Sequence, residues 1–103
     1  MFVIIETTTN DIKIANLISK TLLDKQLSPC VQTIKNVISS YLWKNKVLTD
    51  NEIILRIKAN SNNYDEITNI IKTLHNYDNP ELISYKFNIL LNEYKTWFSD
   101  SSI

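Results

Sequence analysis

The sequence contains no glycine among its 103 residues. Phosphate-binding loops that depend on glycine therefore have no support in this chain. Tight turns still require residues that tolerate a positive φ, and asparagine is the next best residue for that conformation. We expect such positions at Asn36, Asn45 and Asn76.

Cysteine and histidine occur once each, as Cys30 and His75. A lone cysteine cannot form a disulfide within the chain, which fits a reducing compartment and leaves a buried thiol or a metal ligand as its options. One histidine cannot build a closed site of the zinc-finger type. A catalytic pair of Cys30 and His75 has little support, because no acidic pair or glycine-rich loop accompanies it. We therefore predict a protein that is not an enzyme.

Neither sign of charge dominates, and no long apolar run is present. Eleven basic and eleven acidic residues cancel, which argues against nucleic acid or an anionic membrane surface as the main partner. No segment approaches the roughly 18 apolar residues of a membrane span, and the apolar start of the chain lacks a basic leader. We expect one domain over residues 1–103, in the cytoplasm and without membrane insertion.

The first half of the chain predicts a strand, a helix and a long hairpin. The apolar run from Phe2 to Ile5 is typical of a central strand covered on both faces. Apolar residues at spacings of three and four predict a helix from Asp11 to about Gln26. Two strands follow, from Cys30 to Trp43 and from Val47 to Ala59, with a bulge near Asn36 where alternation breaks.

The second half predicts another helix, another strand and a short terminal helix. The helix over Tyr64–Leu74 has apolar spacings of three and four, and Asn63 with Glu66 has the spacing of a capping box. Residues 82–88 alternate like a strand, and a terminal helix precedes an end, from Ser99 to Ile103, that we expect to be frayed.

This order of elements predicts an α+β, ferredoxin-like split βαβ fold. Its antiparallel sheet carries helices on one face. Compared with the basic fold, the second and third strands form a long hairpin and the chain has an extra C-terminal helix. In that topology the second strand is an edge, and here it displays Tyr41 and Trp43. Because soluble proteins blunt or pair such edges, we expect the hairpin to pair with another subunit. The alternative is a monomer whose edge is protected by Lys44 and Lys46.

The corner between the second helix and the last strand, residues 74–82, holds the only histidine. Imidazole and thiolate groups suit late first-row divalent ions, and copper heads their order of affinity. A site built on His75 and Cys30 would be open, shared between subunits, or weak. The alternative favoured by the residues alone is that His75 caps the helix and Cys30 is a small buried hydrophobic residue.

A second set of residues could form a polar pocket. Charged groups of opposite sign and aromatic walls are available in Lys58, Glu81, Tyr77, Tyr41 and Trp43. The same residues could instead belong to an interface, where Trp and Tyr are favoured for their contact area.

Three stretches resemble the CutA divalent-ion tolerance proteins. Residues 75–81 read His-Asn-Tyr-Asp-Asn-Pro-Glu, similar to the family's His-Pro-Tyr corner that ends in Pro-Glu. Residues 39–46 read Ser-Ser-Tyr-Leu-Trp-Lys-Asn-Lys, similar to its Ser-x-Tyr-x-Trp-x-Gly-Lys hairpin. Residues 25–31 and the pair Ile57-Lys58 also match, and the match spans nearly the whole chain in order.

The resemblance implies a homotrimer held together by the hairpins, with an architecture similar to PII signalling proteins. It implies a role in tolerance to divalent cations, with weak binding of Cu(II) or a similar ion, no organic cofactor and no established enzymatic activity. The ligand positions carried over are His75 and Cys30, and Glu6 stands where some members have another cysteine. The alternative is a PII-like scaffold or signalling trimer that binds a small molecule or a partner protein in clefts between subunits, through Lys58, Tyr77 and Glu81.

Overall fold

A computed structural model describes residues 1–103. The elements follow the predicted order. Their bounds lie within about two residues of the predicted ones, except that the first strand extends four residues further than predicted, to Thr9. They are β1 (Phe2–Thr9), α1 (Ile12–Asp24), β2 (Cys30–Trp43), β3 (Lys46–Asn60), a single 3-10 turn (Ser61–Asn63), α2 (Tyr64–Leu74), β4 (Ile83–Phe87) and α3 (Asn92–Asp100).

The four strands form one antiparallel sheet in the order β2-β3-β1-β4. The first and third strands are therefore central and the second is an edge, which confirms the predicted ferredoxin-like fold. Register pairs Glu6 with Arg56 and Ile4 with Lys58 across β1 and β3. Across β2 and β3, Cys30 lies opposite Lys58.

The core lies between the sheet and helices α1 and α2. One face of β1 and β3 points into it, because alternate side chains of a strand share a face. The buried core cluster consists of Val3, Ile5, Ala15, Ile18, Leu22, Leu27, Leu55, Ile57, Ala59, Ile67 and Ile71. The apolar stripes of both helices thus cover one side of the sheet only.

The other side of the sheet, here called the open face, is largely uncovered. Strand alternation places Ile4, Glu6, Arg56, Lys58 and Cys30 on it, and all five are only partly buried. The expectation that β1 is covered on both faces is therefore wrong for the middle of the strand, at Ile4 and Glu6. It holds at the start, where α3 packs, and at the end, where Thr8 on the same side is only 9% exposed.

Helix α3 covers one end of the open face. Phe98 is fully buried there, with its ring centroid 5.3 Å from that of Phe2 and 6.0 Å from that of Phe87. The chain end is tied down as well, since Ile103 donates its N–H to Gln26 O at 2.9 Å. The expectation of a frayed end is therefore wrong.

The N-terminus of α2 also differs from prediction. Asn63 makes no side-chain cap to the helix. Its amide instead donates to Leu27 O at 3.2 Å and to Ile103 O at 2.9 Å. The expected capping box with Glu66 is therefore absent, because Asn63 fastens the chain end to the loop after α1.

Positive φ values occur at Gln26, Asn36, Lys44 and Asn45. The predictions for Asn36 and Asn45 are confirmed, whereas Asn76 is not in this region. Asn36 lies in the bulge, where β2 has two residues opposite one of β3. Lys44 and Asn45 are the two central residues of the hairpin turn, which requires positive φ at both.

Beyond the bulge the β2–β3 hairpin projects from the rest of the chain. All residues from 41 to 50 are exposed, and the molecule measures 47 × 26 × 22 Å. Both surfaces of the hairpin carry large apolar side chains, with Leu42 at 73% and Val47 at 74% exposure on one side and Trp43 at 58% on the other. A hairpin of two strands is marginally stable when it stands alone.

Candidate functional site

His75 lies at the C-terminal end of α2 and is bound by the backbone on both sides of its ring. Its Nδ1 accepts the N–H of Tyr77 at 3.0 Å. The ring proton therefore resides on Nε2, which donates to Thr8 O at 2.8 Å. Through these two hydrogen bonds the imidazole joins the corner to the end of β1.

The pKa of His75 is lowered from its ordinary value. Burial is the main cause and outweighs the opposing effects of the Thr8 carbonyl and the Glu52 carboxylate. The ring is thus neutral at pH 7, which is the form that binds metals. A metal ion reaches the lone pair of Nδ1 only by displacing the Tyr77 N–H, at a cost of about 0.5–1.5 kcal/mol for the lost hydrogen bond.

Asn76 connects the same corner to the loop between β1 and α1. Its Oδ1 accepts from Thr9 Oγ1 at 2.6 Å, and its Nδ2 donates to Asn10 Oδ1 at 2.8 Å. In the resemblance to a His-Pro-Tyr corner noted from the sequence, Asn76 takes the position of the proline. Side-chain hydrogen bonds here anchor the segment that a proline ring would stiffen.

Carboxylates surround the rest of the corner. Tyr77 donates its hydroxyl proton to Glu52 Oε2 at 2.7 Å, and burial followed by this bond raises the pKa of Tyr77. Burial also raises the pKa of Glu81, with the charges of Glu6 and Glu52 adding to the effect. Tyr77 and Glu81 were expected in one pocket. Glu52, which the sequence did not single out, accepts the hydrogen bond of Tyr77 and raises the pKa of Glu81 through its charge.

Glu6 is held on the open face by two partners. Its Oε2 accepts from Arg56 Nε at 3.0 Å and from the Tyr85 hydroxyl at 2.9 Å. The hydrogen bond to Glu6 raises the pKa of Arg56 and also that of Tyr85. A metal at Glu6 would have to compete with the Arg56 guanidinium for the carboxylate.

Cys30 lies well away from His75. It is a free, partly buried thiol at the start of β2. Cys30 pairs with Lys58, which pairs in turn with Ile4 of β1, whereas His75 contacts β1 at Thr8. Ile4 and Thr8 are four residues apart, which corresponds to roughly 13 Å along the strand. One chain therefore does not bring His75 and Cys30 to a shared ion, and no group of three or more His, Cys, Asp or Glu side chains is arranged to hold a metal.

The five residues expected in a polar pocket occupy three places. Tyr77 and Glu81 belong to the corner, and Lys58 lies on the open face. Tyr41 and Trp43 are on the projecting hairpin, where Tyr41 donates to the Asp50 carboxylate and Lys44 Nζ lies 5.8 Å from the Trp43 ring centroid. The chain by itself does not assemble them into one cleft.

Lys58 instead borders a groove of about 470 Å³ between the open face and the start of α3, called here the α3 groove. The lining residues are Ile4, Gln32, Arg56, Lys58, Phe87, Asn88, Ile89, Leu90, Leu91 and Tyr94. The sequence offered one signal for it, since alternation in β3 puts Arg56 and Lys58 on the same face. The contribution of α3 has no such signal, because it depends on how the chain end folds back.

The model of the family described as "CutA1 divalent ion tolerance protein" matches residues 3–101. The chain belongs to the CutA1 family. One similar protein is the divalent-cation tolerance protein CutA of Thermus thermophilus. It is 27% identical to this chain over 90 residues, and the aligned part covers 87% of each chain. Another is human protein CutA, which is 32% identical over 72 residues, covering 70% of this chain and 40% of that protein.

Solved CutA1 structures share the fold as well. That of CutA1 from Oryza sativa superimposes with a TM-score of 0.93 at 26% identity, over 99% of this chain and 94% of that one. The match to human CutA spans less than half of that protein. The relatives' names place the family in divalent-cation tolerance, and none of them names a catalytic activity. None of the three helices combines the length and apolar character that crossing a membrane requires.

Proposed function

We propose that this CutA1-family chain acts in divalent-cation tolerance as a non-enzymatic homotrimer assembled through its β2–β3 hairpins. The observation that carries the proposal is the projecting hairpin, whose Leu42 and Val47 are 73% and 74% exposed. Exposed apolar surface on an unpaired edge is stabilised by burial against another chain. The number three comes from the family resemblance, and the lone free Cys30 is consistent with a cytoplasmic location.

Light scattering tests the assembly. The wild-type protein is expected at three times the 12.0 kDa chain mass. The double variant Leu42→Lys with Val47→Lys places two charges on the hairpin and is expected to reduce the mass to that of one chain. The control is Leu17→Lys with Leu23→Lys, because these residues are also partly exposed but lie on α1. A monomeric wild type, or a hairpin variant with unchanged mass, would refute the proposal.

We further propose that the trimer binds Cu(II) or a similar divalent ion weakly as its cargo, with His75 as the main ligand. Cys30 or Glu6, supplied by a neighbouring subunit, would assist. Weak binding is expected because the ion must displace the Tyr77 N–H from Nδ1. The neutral imidazole favours binding, since no proton has to be removed first.

Calorimetric titration of metal-free protein with Cu(II), and with Zn(II) beside it, tests this site. His75→Ala is expected to abolish saturable Cu(II) binding while the trimer mass stays unchanged. Asn76→Ala is the matched control, because it removes two hydrogen bonds from the same corner but leaves the imidazole. Binding that persists in His75→Ala would exclude His75 as the ligand.

A second candidate function is that of a PII-like trimeric scaffold or signalling protein that binds a small molecule or a partner protein. The α3 groove favours it, because its 470 Å³ lie within the range of about 300–1,000 Å³ typical of small-molecule sites. Of the residues expected to bind such a ligand, Lys58 lines this groove, whereas Tyr77 and Glu81 would act only through a neighbouring subunit. A small molecule that raises the unfolding temperature of the wild type but not of Lys58→Ala would support it.

A further inference from the structure

The backbone N–H of Tyr77 covers the only lone pair of the His75 ring. It donates to His75 Nδ1 at 3.0 Å. Because Nε2 carries the ring proton and donates to Thr8 O, the lone pair that could bind an ion is the one on Nδ1. Whatever holds the backbone of Tyr77 in place therefore controls whether an ion can reach this lone pair.

The side chain of Tyr77 is anchored to Glu52 of β3. Its hydroxyl donates to Glu52 Oε2 at 2.7 Å, and its ring centroid lies 5.0 Å from that of His75. Burial, followed by this hydrogen bond, raises the pKa of Tyr77, so the hydroxyl keeps the proton that it donates. A hydrogen bond to a carboxylate is stronger than one between neutral groups. This bond is therefore suited to hold the residue, and with it the N–H, in one position.

Glu52 lies at the base of the projecting hairpin. Pairing between β1 and β3 ends at Thr9 and Ile53, so Glu52 is the first residue of β3 beyond the end of β1. Val37 lies opposite, immediately after the bulge of β2. The other side-chain hydrogen bonds from the corner to distant residues go to β1 and to the loop that follows it. The bond to Glu52 is thus the one that ties the corner to the hairpin.

We propose that Tyr77 and Glu52 form a hydrogen-bonded latch that keeps the Tyr77 N–H on His75 Nδ1 and so sets how tightly the corner binds Cu(II) or a similar ion. While the latch is closed, the lone pair is covered and binding is weak. When the hydroxyl leaves Glu52, the N–H can move away and the ion can bind. Tyr77 and Glu52 are thus positioning residues. The proposal deepens the proposed metal site and rests on it for the effect on affinity.

Tyr77→Phe breaks the latch while keeping the ring and the backbone N–H. Hydrogen exchange of the residue-77 amide, followed by NMR in metal-free protein, reports how often this N–H leaves Nδ1. We expect exchange about tenfold faster in Tyr77→Phe, because a hydrogen bond to a carboxylate is lost. The amide of His75, which donates to Ile71 O at 2.9 Å, is the internal reference. Unchanged exchange at residue 77, or an equal change at both amides, would overturn the proposal.

Tyr64→Phe is the matched control. Tyr64 is also a partly buried tyrosine, and its hydroxyl donates to Ser84 Oγ at 2.9 Å. It is the first residue of α2, whereas His75 follows the last, so the control removes a comparable bond at the opposite end of the helix. Exchange at residue 77 and Cu(II) affinity should both stay unchanged. An effect as large as that of Tyr77→Phe would contradict the latch.

A double variant tests whether the two residues act as a pair. Glu52→Leu should speed exchange at residue 77 as much as Tyr77→Phe does, since it removes the acceptor of the same bond. Combining the two changes should add nothing further, because the effects of residues that share one interaction are not additive. Additive effects would show that each residue acts separately and would refute the latch.

Calorimetric titration with Cu(II) measures the consequence for the metal site. An ion that binds only when the lone pair is uncovered gains affinity in proportion to the uncovered fraction. Tyr77→Phe is therefore expected to bind Cu(II) about tenfold tighter, which is the same factor as in exchange. A structural role alone would weaken binding or leave it unchanged, and either result contradicts the proposal. A gain far above the exchange factor would show that the freed Glu52 carboxylate binds the ion, which also contradicts it.

The two measurements separate this proposal from the proposed function. If the wild type binds no Cu(II), or His75→Ala still binds it, the metal site is wrong and the effect on affinity falls with it, whatever exchange shows. If binding depends on His75 but is no tighter in Tyr77→Phe, the latch proposal alone is wrong and the metal site stands.

Discussion

Replacing Gln26 by glycine is expected to stabilise the protein. Gln26 follows α1 with φ of 56°. Its N–H donates to Leu23 O and that of Leu27 to Leu22 O, both at 3.0 Å, which is the pattern of a Schellman motif. In this chain without glycine, a glutamine occupies the left-handed position that most helices of this kind give to glycine.

The magnitude follows from two opposing effects. An L-residue in the left-handed region costs about 1–2 kcal/mol, which Gln26→Gly removes. Glycine loses about 0.5–1 kcal/mol more conformational entropy on folding. The net expectation is a gain of about 0.5–1 kcal/mol in the free energy of unfolding, or several degrees in Tm for a chain of this length.

Lys25→Gly is the matched control. Lys25 is the preceding residue, is equally exposed, and has an ordinary right-handed conformation with φ of −83°. There glycine brings only the entropic cost, so a loss of about 0.5–1 kcal/mol is expected. Urea unfolding of both variants at one protein concentration checks the pair, because assembly makes stability depend on concentration. A Gln26→Gly variant as unstable as Lys25→Gly would refute the reasoning.

Two further predictions concern the corner. The single histidine can be titrated by proton NMR, and the midpoint for His75 is expected below 6.5, because burial disfavours the imidazolium. In this pH range the unfolded chain binds more protons than the folded one, so stability should fall as pH drops from 6.5 toward the pKa of His75 in the folded protein. A His75→Gln variant should lose this dependence. An NMR midpoint above 6.5 would contradict the conclusion that burial controls the pKa of His75. Asn76→Ala removes hydrogen bonds to Thr9 and Asn10 and is expected to cost about 1 kcal/mol in urea unfolding. An Asn76→Ala variant as stable as the wild type would show that water replaces both bonds.

Local signals in the sequence determined the elements and their order. Three such signals are the apolar spacing of α1, the alternation in β3 and the break in alternation near Asn36. Each reflects a backbone conformation that is set mainly by residues close together in the sequence. The order of elements, together with the chirality and length of their connections, then restricts the topology to very few arrangements. The residue types alone also named His75 and Lys58 as chemically able side chains, whereas Glu6 was named only through the resemblance to the CutA family.

The tertiary structure alone decided which of those side chains meet. It placed Cys30 far from His75, gave both ring nitrogens of His75 to the backbone, and paired Glu6 with Arg56. It also folded α3 onto the open face, which created a groove beside Lys58. These results depend on contacts between residues that are distant in sequence, and periodicity reports only the face on which a residue lies. The sequence therefore determined the chemical capability of each side chain. The packing of distant elements decided which partners each side chain contacts and which of its groups remain available.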